Sequence, residues 1–188
     1  MARPKSEERR QAIIDSAVRL IARDGLGAAT AAIAKEAGVP NGSVFTYFPT
    51  KVDLFNTLYV EIKREVVGTI EVGLDQAGDE REQLLHLWSR WTHWGAAHPD
   101  KRRVLAQLGV SGEVSPAVKQ AAFADAHRGV DLVMLVARHG PLRGQGMEVV
   151  IPVVEALASA TIDLMGRDPG KADEICLATF ELLWKALR

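Results

Sequence analysis

A chain of 188 residues, 47% hydrophobic and 25% charged, can bury a sizeable core as one large domain or two small ones. Its single cysteine excludes an internal disulfide, and no apolar run of membrane-spanning length stands out, so no transmembrane helix is expected. The net charge of −1 divides unevenly: residues 1–51 carry +3 and the remainder −4, a modest bias that suits a polyanionic partner for the N-terminal region.

The opening MARPKSEERR is charged and lacks the apolar core of a secretory signal, so a cytoplasmic, reducing setting is expected. The pattern that follows is helical almost throughout, with no convincing alternating strand, and predicts an all-α fold of about nine helices. Ser6 is placed to cap the first helix, with Glu7 and Glu8 at its positive end. Ile13, Ala17, Leu20 and Ile21 form its buried stripe, and Gly25 and Gly27 end it.

Thr30 to Lys51 reads TAAIAKEAGVPNGSVFTYFPTK. A short helix from Thr30 to Ala37, capped by Thr30, runs into Gly38, a residue suited to a left-handed helix end. Pro40 fits the start of a second short helix over about Asn41 to Tyr47, and Phe48-Pro49 stops it. Ile33, Ala34 and Ala37 turn inward, as do Val44 and Phe48 one helical turn apart. Two short helices about a tight turn have the layout of a helix-turn-helix, whose second helix enters the DNA major groove.

Thr50, Lys51, Val52 and Asp53 form a capping-box variant that opens a long helix with the stripe Phe55, Leu58, Tyr59, Ile62, Val66 and Ile70. A break follows at Asp75 to Gly78. Asp79 with Glu82 is a second capping box, opening a helix that ends at His98-Pro99. After a short segment from Pro99 to Leu108, Ser115-Pro116 starts a long helix ending at Gly140. Beyond the glycine-rich linker, Pro152 falls in the first turn of a helix ending at Gly166. Asp168-Pro169 starts a last helix that runs almost to Arg188.

Taken together, Thr30, Ile33-Ala34, Ala37-Gly38-Val39, Gly42-Ser43-Val44-Phe45, Tyr47-Phe48 and Lys51 resemble the TetR family of transcriptional regulators over about residues 6 to 60. The resemblance implies an N-terminal three-helix DNA-binding domain (residues 1–51). It also implies a larger helical effector-binding and dimerisation domain (residues 52–188). Carried over onto this chain, the DNA-binding positions are Thr30, Asn41, Gly42, Ser43, Phe45, Thr46, Tyr47 and Lys51. Thr30 and Tyr47 offer hydroxyls to phosphates, and Lys51 resembles a phosphate clamp. Asn41 carries the amide that matches adenine, while Ser43 and Thr46 can touch bases or phosphates. Gly42 lets the backbone approach closely. Two departures stand out. Ala31 and Ala32 occupy positions often polar or basic in the family, and Phe45 stands where tyrosine is usual. Fewer contacts there shift weight to Arg3, Lys5, Arg9 and Arg10, which read equally well as a solvated, frayed terminus.

In HLWSRWTHWG, Leu84, Leu87, Trp88, Trp91, Trp94, Gly95 and His98 share one broad face. Glu82, His86, Ser89, Arg90 and His93 share the other, and His86 and His93 read as surface residues, not metal ligands. The tryptophan face admits two readings: a packed core with each N–H satisfied, or an indole wall against an effector. The resemblance favours the second, with Tyr59, Ile62, Trp88, Trp91, Trp94, Phe123, His127 and Met134 as effector-binding residues. His127 shares a face with Phe123, Val130 and Met134, as a hydrogen-bonded core residue or a polar anchor. Cys176, among Ile175, Leu177 and Ala178, reads as a small packing residue.

The last two helices carry stripes of Val150, Val153, Leu157, Ala160 and Leu164, then Ala172, Ile175, Thr179, Leu182 and Ala186. The resemblance makes them an intersubunit bundle of a homodimer; an internal hairpin is the alternative. No catalytic or metal-binding motif is present, so a non-enzymatic chain without cofactor is expected. The implied partners are double-stranded operator DNA and a small apolar or aromatic effector, with no membrane. The implied function is a repressor. A ligand-responsive activator, or a helical interaction protein without an effector, is the alternative.

Overall fold

The computed structural model describes residues 5–124 and 127–188, apart from the side chains of residues 5, 75 and 123–127. The described residues form α-helices and short 3-10 turns, with no strand among them. They divide into two compact units, Met1–Arg64 with Pro99–Ala122 and Glu65–His98 with Phe123–Arg188.

The first unit begins with α1 (Lys5–Asp24), α2 (Thr30–Glu36), α3 (Asn41–Tyr47) and the start of α4 (Lys51–Glu71). The stripe of Ile13, Ala17, Leu20 and Ile21 on α1 is buried. Ser6 lies within α1 and does not cap it. Gly25, at φ +80°, ends the helix, and its N–H bonds the Ile21 carbonyl at 2.9 Å. In numbering that allows for α5 (Glu80–Ala97), the segment from Pro99 is the helix α6 (Pro99–Val110), which packs on α1. Arg103 Nη1 donates to the Ala22 carbonyl at 3.2 Å, satisfying a group near the C-terminal end of α1.

The expected long helix from Ser115 to Gly140 is described as α7 (Pro116–Ala124) and α8 (His127–Ala137); residues 125 and 126 lie outside the described chain. Ser115 caps α7, its hydroxyl accepting the Val118 N–H at 3.3 Å.

Glycine and acidic caps set the limits of α4 and α5. Thr50 and Asp53 exchange the bonds of a capping box: Asp53 N–H donates to Thr50 Oγ1 at 3.1 Å, and Thr50 N–H donates to Asp53 Oδ2 at 3.0 Å. The break after α4 comes earlier than the sequence predicts. Gly73, at φ +83°, turns the chain into a 3-10 turn at Leu74–Gln76. The Asp79–Glu82 box opens α5 as expected.

In the second unit, α5 and α8 are joined by α9 (Met147–Arg167) and α10 (Ala172–Leu187). A Cβ on Gly95 of α5 would stand 2.5 Å from Ile162 Cδ1 of α9, so a bare backbone is what lets these helices approach. Pro152 is the sixth residue of α9, beyond its first turn. The N–H it lacks would have bonded the Glu148 carbonyl, on an exposed stretch where water can replace it.

By length and composition alone α9 could cross a membrane, its most apolar 18 residues having a mean hydropathy of 1.7 and being 33% buried; a core helix of a soluble protein passes the same test. Of the stripes read from sequence, Val150 and Thr179 are buried in the protomer while Val153, Leu164 and Leu182 face outward, as an intersubunit surface would. Inside lie Val150, Val154, Ala158, Thr161, Ile162 and Met165 of α9, and Cys176, Thr179, Phe180, Leu183 and Leu187 of α10. Val153, Leu164 and Leu182 are exposed by 45, 45 and 58%. Both helices are apolar on more than one side, so periodicity alone does not choose which side turns inward.

Candidate nucleic-acid interface

The α2–α3 pair is built around Gly38. At φ +66° its N–H bonds the Lys35 carbonyl at 3.2 Å, while the Val39 N–H reaches back to the Ala34 carbonyl at 3.0 Å. This bond pair is a Schellman motif, and it redirects the chain within two residues. Pro40 then stands at the cap of α3 in an extended conformation, its carbonyl accepting the Ser43 N–H at 2.8 Å. The helices are held together by Ile33, Ala34, Val44 and Phe48, each at most 3% exposed.

Burying that face presents the other. Asn41, Gly42, Phe45 and Thr46 are exposed, and Ser43 and Tyr47 are half-buried. Thr46 Oγ1 donates to the Gly42 carbonyl at 3.4 Å. Lys51, half-buried at the first position of α4, holds Nζ 5.5 Å from the centroid of the Phe55 ring. Thr30 is the first residue of α2 and is half-buried, but it does not cap the helix. The cap position is Ala29, which has no side-chain oxygen to offer. The Thr30 hydroxyl is therefore not spent on its own helix.

The N-terminal cations divide sharply. Arg10 pairs with Glu61 of α4 and lies 5.7 Å from the Phe48 ring, so it is a strut between helices more than a free arm residue. Arg19 bonds Glu36 at 2.6 Å. Arg23 makes two bonds of 2.8 Å to Asp24, which hold that carboxyl below its usual range. Arg9 and Lys35 are exposed. Arg3 and the Lys5 side chain lie outside the described residues.

The residues predicted to bind an effector fall in both units. Tyr59 and Ile62 are buried in the first unit. In the second, Trp88 is fully buried and its Nε1–H donates to the Cys176 carbonyl at 3.2 Å. Trp91 is half-buried and meets Trp88 edge-on, with centroids 6.3 Å apart. Trp94 donates to Glu65 Oε1 at 3.1 Å and stacks on His98 at 5.0 Å. Met134 is half-buried on α8, and the side chains of Phe123 and His127 lie outside the described residues.

Several partners were not visible in the sequence. His93 Nε2 lies 2.8 Å from Asp173 of α10, and Arg81 lies over the Phe180 and Trp184 rings. Each joins residues far apart in the chain, a pairing that no local pattern announces. Cys176 is buried, 3.5 Å from the Thr92 hydroxyl. Among the described residues no group of three or more His, Cys, Asp or Glu is placed to hold a metal.

Residues 13–58 match the family model of bacterial regulatory proteins, tetR family. The chain is 30% identical over 111 residues to the HTH-type transcriptional regulator AcrR of Shigella flexneri, a match covering 55% of this chain and 49% of that protein. It is 33% identical over 73 residues to the fatty acid metabolism regulator protein of Bacillus subtilis (strain 168), covering 38% of each. The matches thus span about half or less of these curated relatives. A solved structure from Shewanella sp. PV-4, assigned to the tetR family, superposes with a TM-score of 0.83 at 26% identity, covering 95% of this chain and 97% of that one.

Proposed function

We propose that this chain, whose residues 13–58 match the tetR family model, is a transcription regulator of that family, a repressor released from a palindromic operator by a small apolar or aromatic effector. The observation that carries the DNA-binding reading is the face of α3. The helix is seated by Val44 and Phe48 while Asn41, Gly42, Phe45 and Thr46 stay exposed. Such a helix fits the major groove, with Thr30, Tyr47 and Lys51 on flanking phosphates and Ser43 on a base or phosphate.

A palindrome requires two copies. The exposed apolar residues Val153, Leu164, Leu177 and Leu182 on α9 and α10 are the surface we assign to the second copy. A helix as apolar as α9 then serves two interfaces, one inside the protomer and one between protomers. Two recognition helices would reach successive major grooves, about 34–36 Å apart or a multiple of it.

The effector reading rests on Trp91, the half-buried indole beside the fully buried Trp88, with Trp94 and Met134 in the same unit and His127 as a polar contact. Because a relative is named a fatty acid metabolism regulator, fatty acids are the first apolar effector class to test. Release needs only that the effector prefer the state that does not match the groove spacing. A hundredfold preference is about 2.7 kcal/mol.

The deciding experiment is selection of duplexes from a random pool, followed by mobility shifts across salt concentrations. Enrichment of one inverted repeat that beats random DNA supports the reading. Equal affinity for all duplexes would mark a nonspecific binder.

A further inference from the structure

We propose that α3 reads A·T base pairs, with the Phe45 ring on the C5-methyl of a thymine and the Asn41 amide on an adenine. The inference rests on the DNA-binding reading above and gives it a base composition.

None of the seven residues of α3, NGSVFTY, is charged. In the major groove guanine is recognised chiefly by Arg or Lys on O6 and N7, and cytosine by a carboxylate on N4. This helix has neither. Its outward residues are an amide, a glycine, a phenyl ring and a threonine, which suit adenine through paired donor and acceptor and thymine through its methyl group. The cations Lys35, exposed on α2, and Lys51, half-buried on α4, lie off the helix and suit phosphates.

Phe45 is 46% exposed, and among the described ring contacts it has none; its neighbour Phe48 pairs with Tyr47 and Arg10 instead. A phenyl ring has no polar atom for a phosphate, so its contribution to a complex is the apolar surface it covers. Its surroundings favour the same use. The Thr46 hydroxyl is turned back to the Gly42 carbonyl, which leaves its methyl available. Apart from its two chain neighbours and the backbone of α3 itself, no heavy atom lies within 4 Å of where a Cβ on Gly42 would stand, so a base edge has room beside the ring. Asn41 and Phe45 are four residues apart on one face, about 6 Å along the axis. That distance spans fewer than two base-pair steps of about 3.4 Å. The adenine and the thymine methyl should therefore lie within two base pairs of each other.

The test uses the full chain and the best duplex selected from a random pool, with each thymine replaced singly by deoxyuridine, which removes only the methyl. Two A·T pairs within two steps are expected in each half-site. One replacement should weaken binding by the chain as it stands about fourfold, the equivalent of one buried methylene. Phe45→Ala should bind the methylated and unmethylated duplexes alike at that position, while Phe45→Leu, which keeps an apolar group, should retain the discrimination. Equal affinity for every singly replaced duplex, or a Phe45→Ala chain with undiminished sensitivity, would overturn the proposal. So would an invariant G·C pair at both positions. Failure to enrich any sequence would defeat the regulator reading itself, and this inference with it.

Discussion

Asn41 and Lys51 separate specificity from affinity. Asn41 is exposed on α3 with a donor and an acceptor on one amide, so Asn41→Ala should lose discrimination at one base position, by about 1–3 kcal/mol. Lys51→Ala should weaken operator and random DNA alike and flatten the salt slope by roughly one unit, read from mobility shifts at several ionic strengths. If Asn41→Ala keeps the parent's base preference, another side chain does the reading. The tryptophans divide in the same way. Trp88 is fully buried with its N–H satisfied, so Trp88→Ala should destabilise the fold by about 3–5 kcal/mol in urea unfolding. Trp91→Ala should leave stability closer to the parent while reducing the fluorescence response to an effector. An effector whose affinity and DNA-releasing action survive Trp91→Ala would make that indole a packing residue. Residue types announced the inward and outward faces of α3 well, because seating Val44 and Phe48 forces Asn41 and Phe45 outward. They said less about Arg10, whose partner Glu61 lies 51 residues away.

Elements here begin and end where backbone geometry demands. Gly38 holds φ +66°, a region that costs L-residues roughly 1–2 kcal/mol, so Gly38→Ala should lower stability by about that much and loosen the α2–α3 turn. Thr50→Ala removes a hydroxyl that bonds both the Asp53 N–H and carboxylate, and should cost about 1 kcal/mol in thermal unfolding. An unchanged melting temperature in either variant would show that packing alone sets those ends. The capping boxes at Thr50 and Asp79 were legible because both partners lie within one turn of sequence. Thr30 and Ser6 misled for a complementary reason. The start of α2 is set by Ile33 and Ala34 reaching the core, so alanine occupies the cap position although it bonds nothing. Gly73, not the later glycine, ends α4, since its φ of +83° is reached two residues past the last helical one.

At the scale of the whole molecule, the test is association. Leu182 is 58% exposed in the protomer, so Leu182→Glu should leave the fold intact while weakening dimerisation and operator binding together. Sedimentation and mobility shifts on one preparation would check this. A variant that stays dimeric would remove Leu182 from the proposed interface, and a monomeric variant with full operator affinity would show that operator binding needs no dimer. Leu183, only 2% exposed on the same helix, is the contrast: Leu183→Glu should unfold the protomer by burying an unpaired charge.

By itself, the sequence determined the all-helical class, the helix-turn-helix with its inward and outward residues, and the resemblance to the TetR family, because each depends on contacts within a few turns of chain. The tertiary structure decided which side of α9 and α10 turns inward. Both helices are apolar on more than one side, and close approach at Gly95 and Ile162 selects the buried face. It also decided that Arg10 pairs with Glu61 and Arg19 with Glu36, and that Trp88 spends its N–H on the Cys176 carbonyl, 88 residues away. Local periodicity carries no information about such distant pairings, since they exist only once the helices have packed.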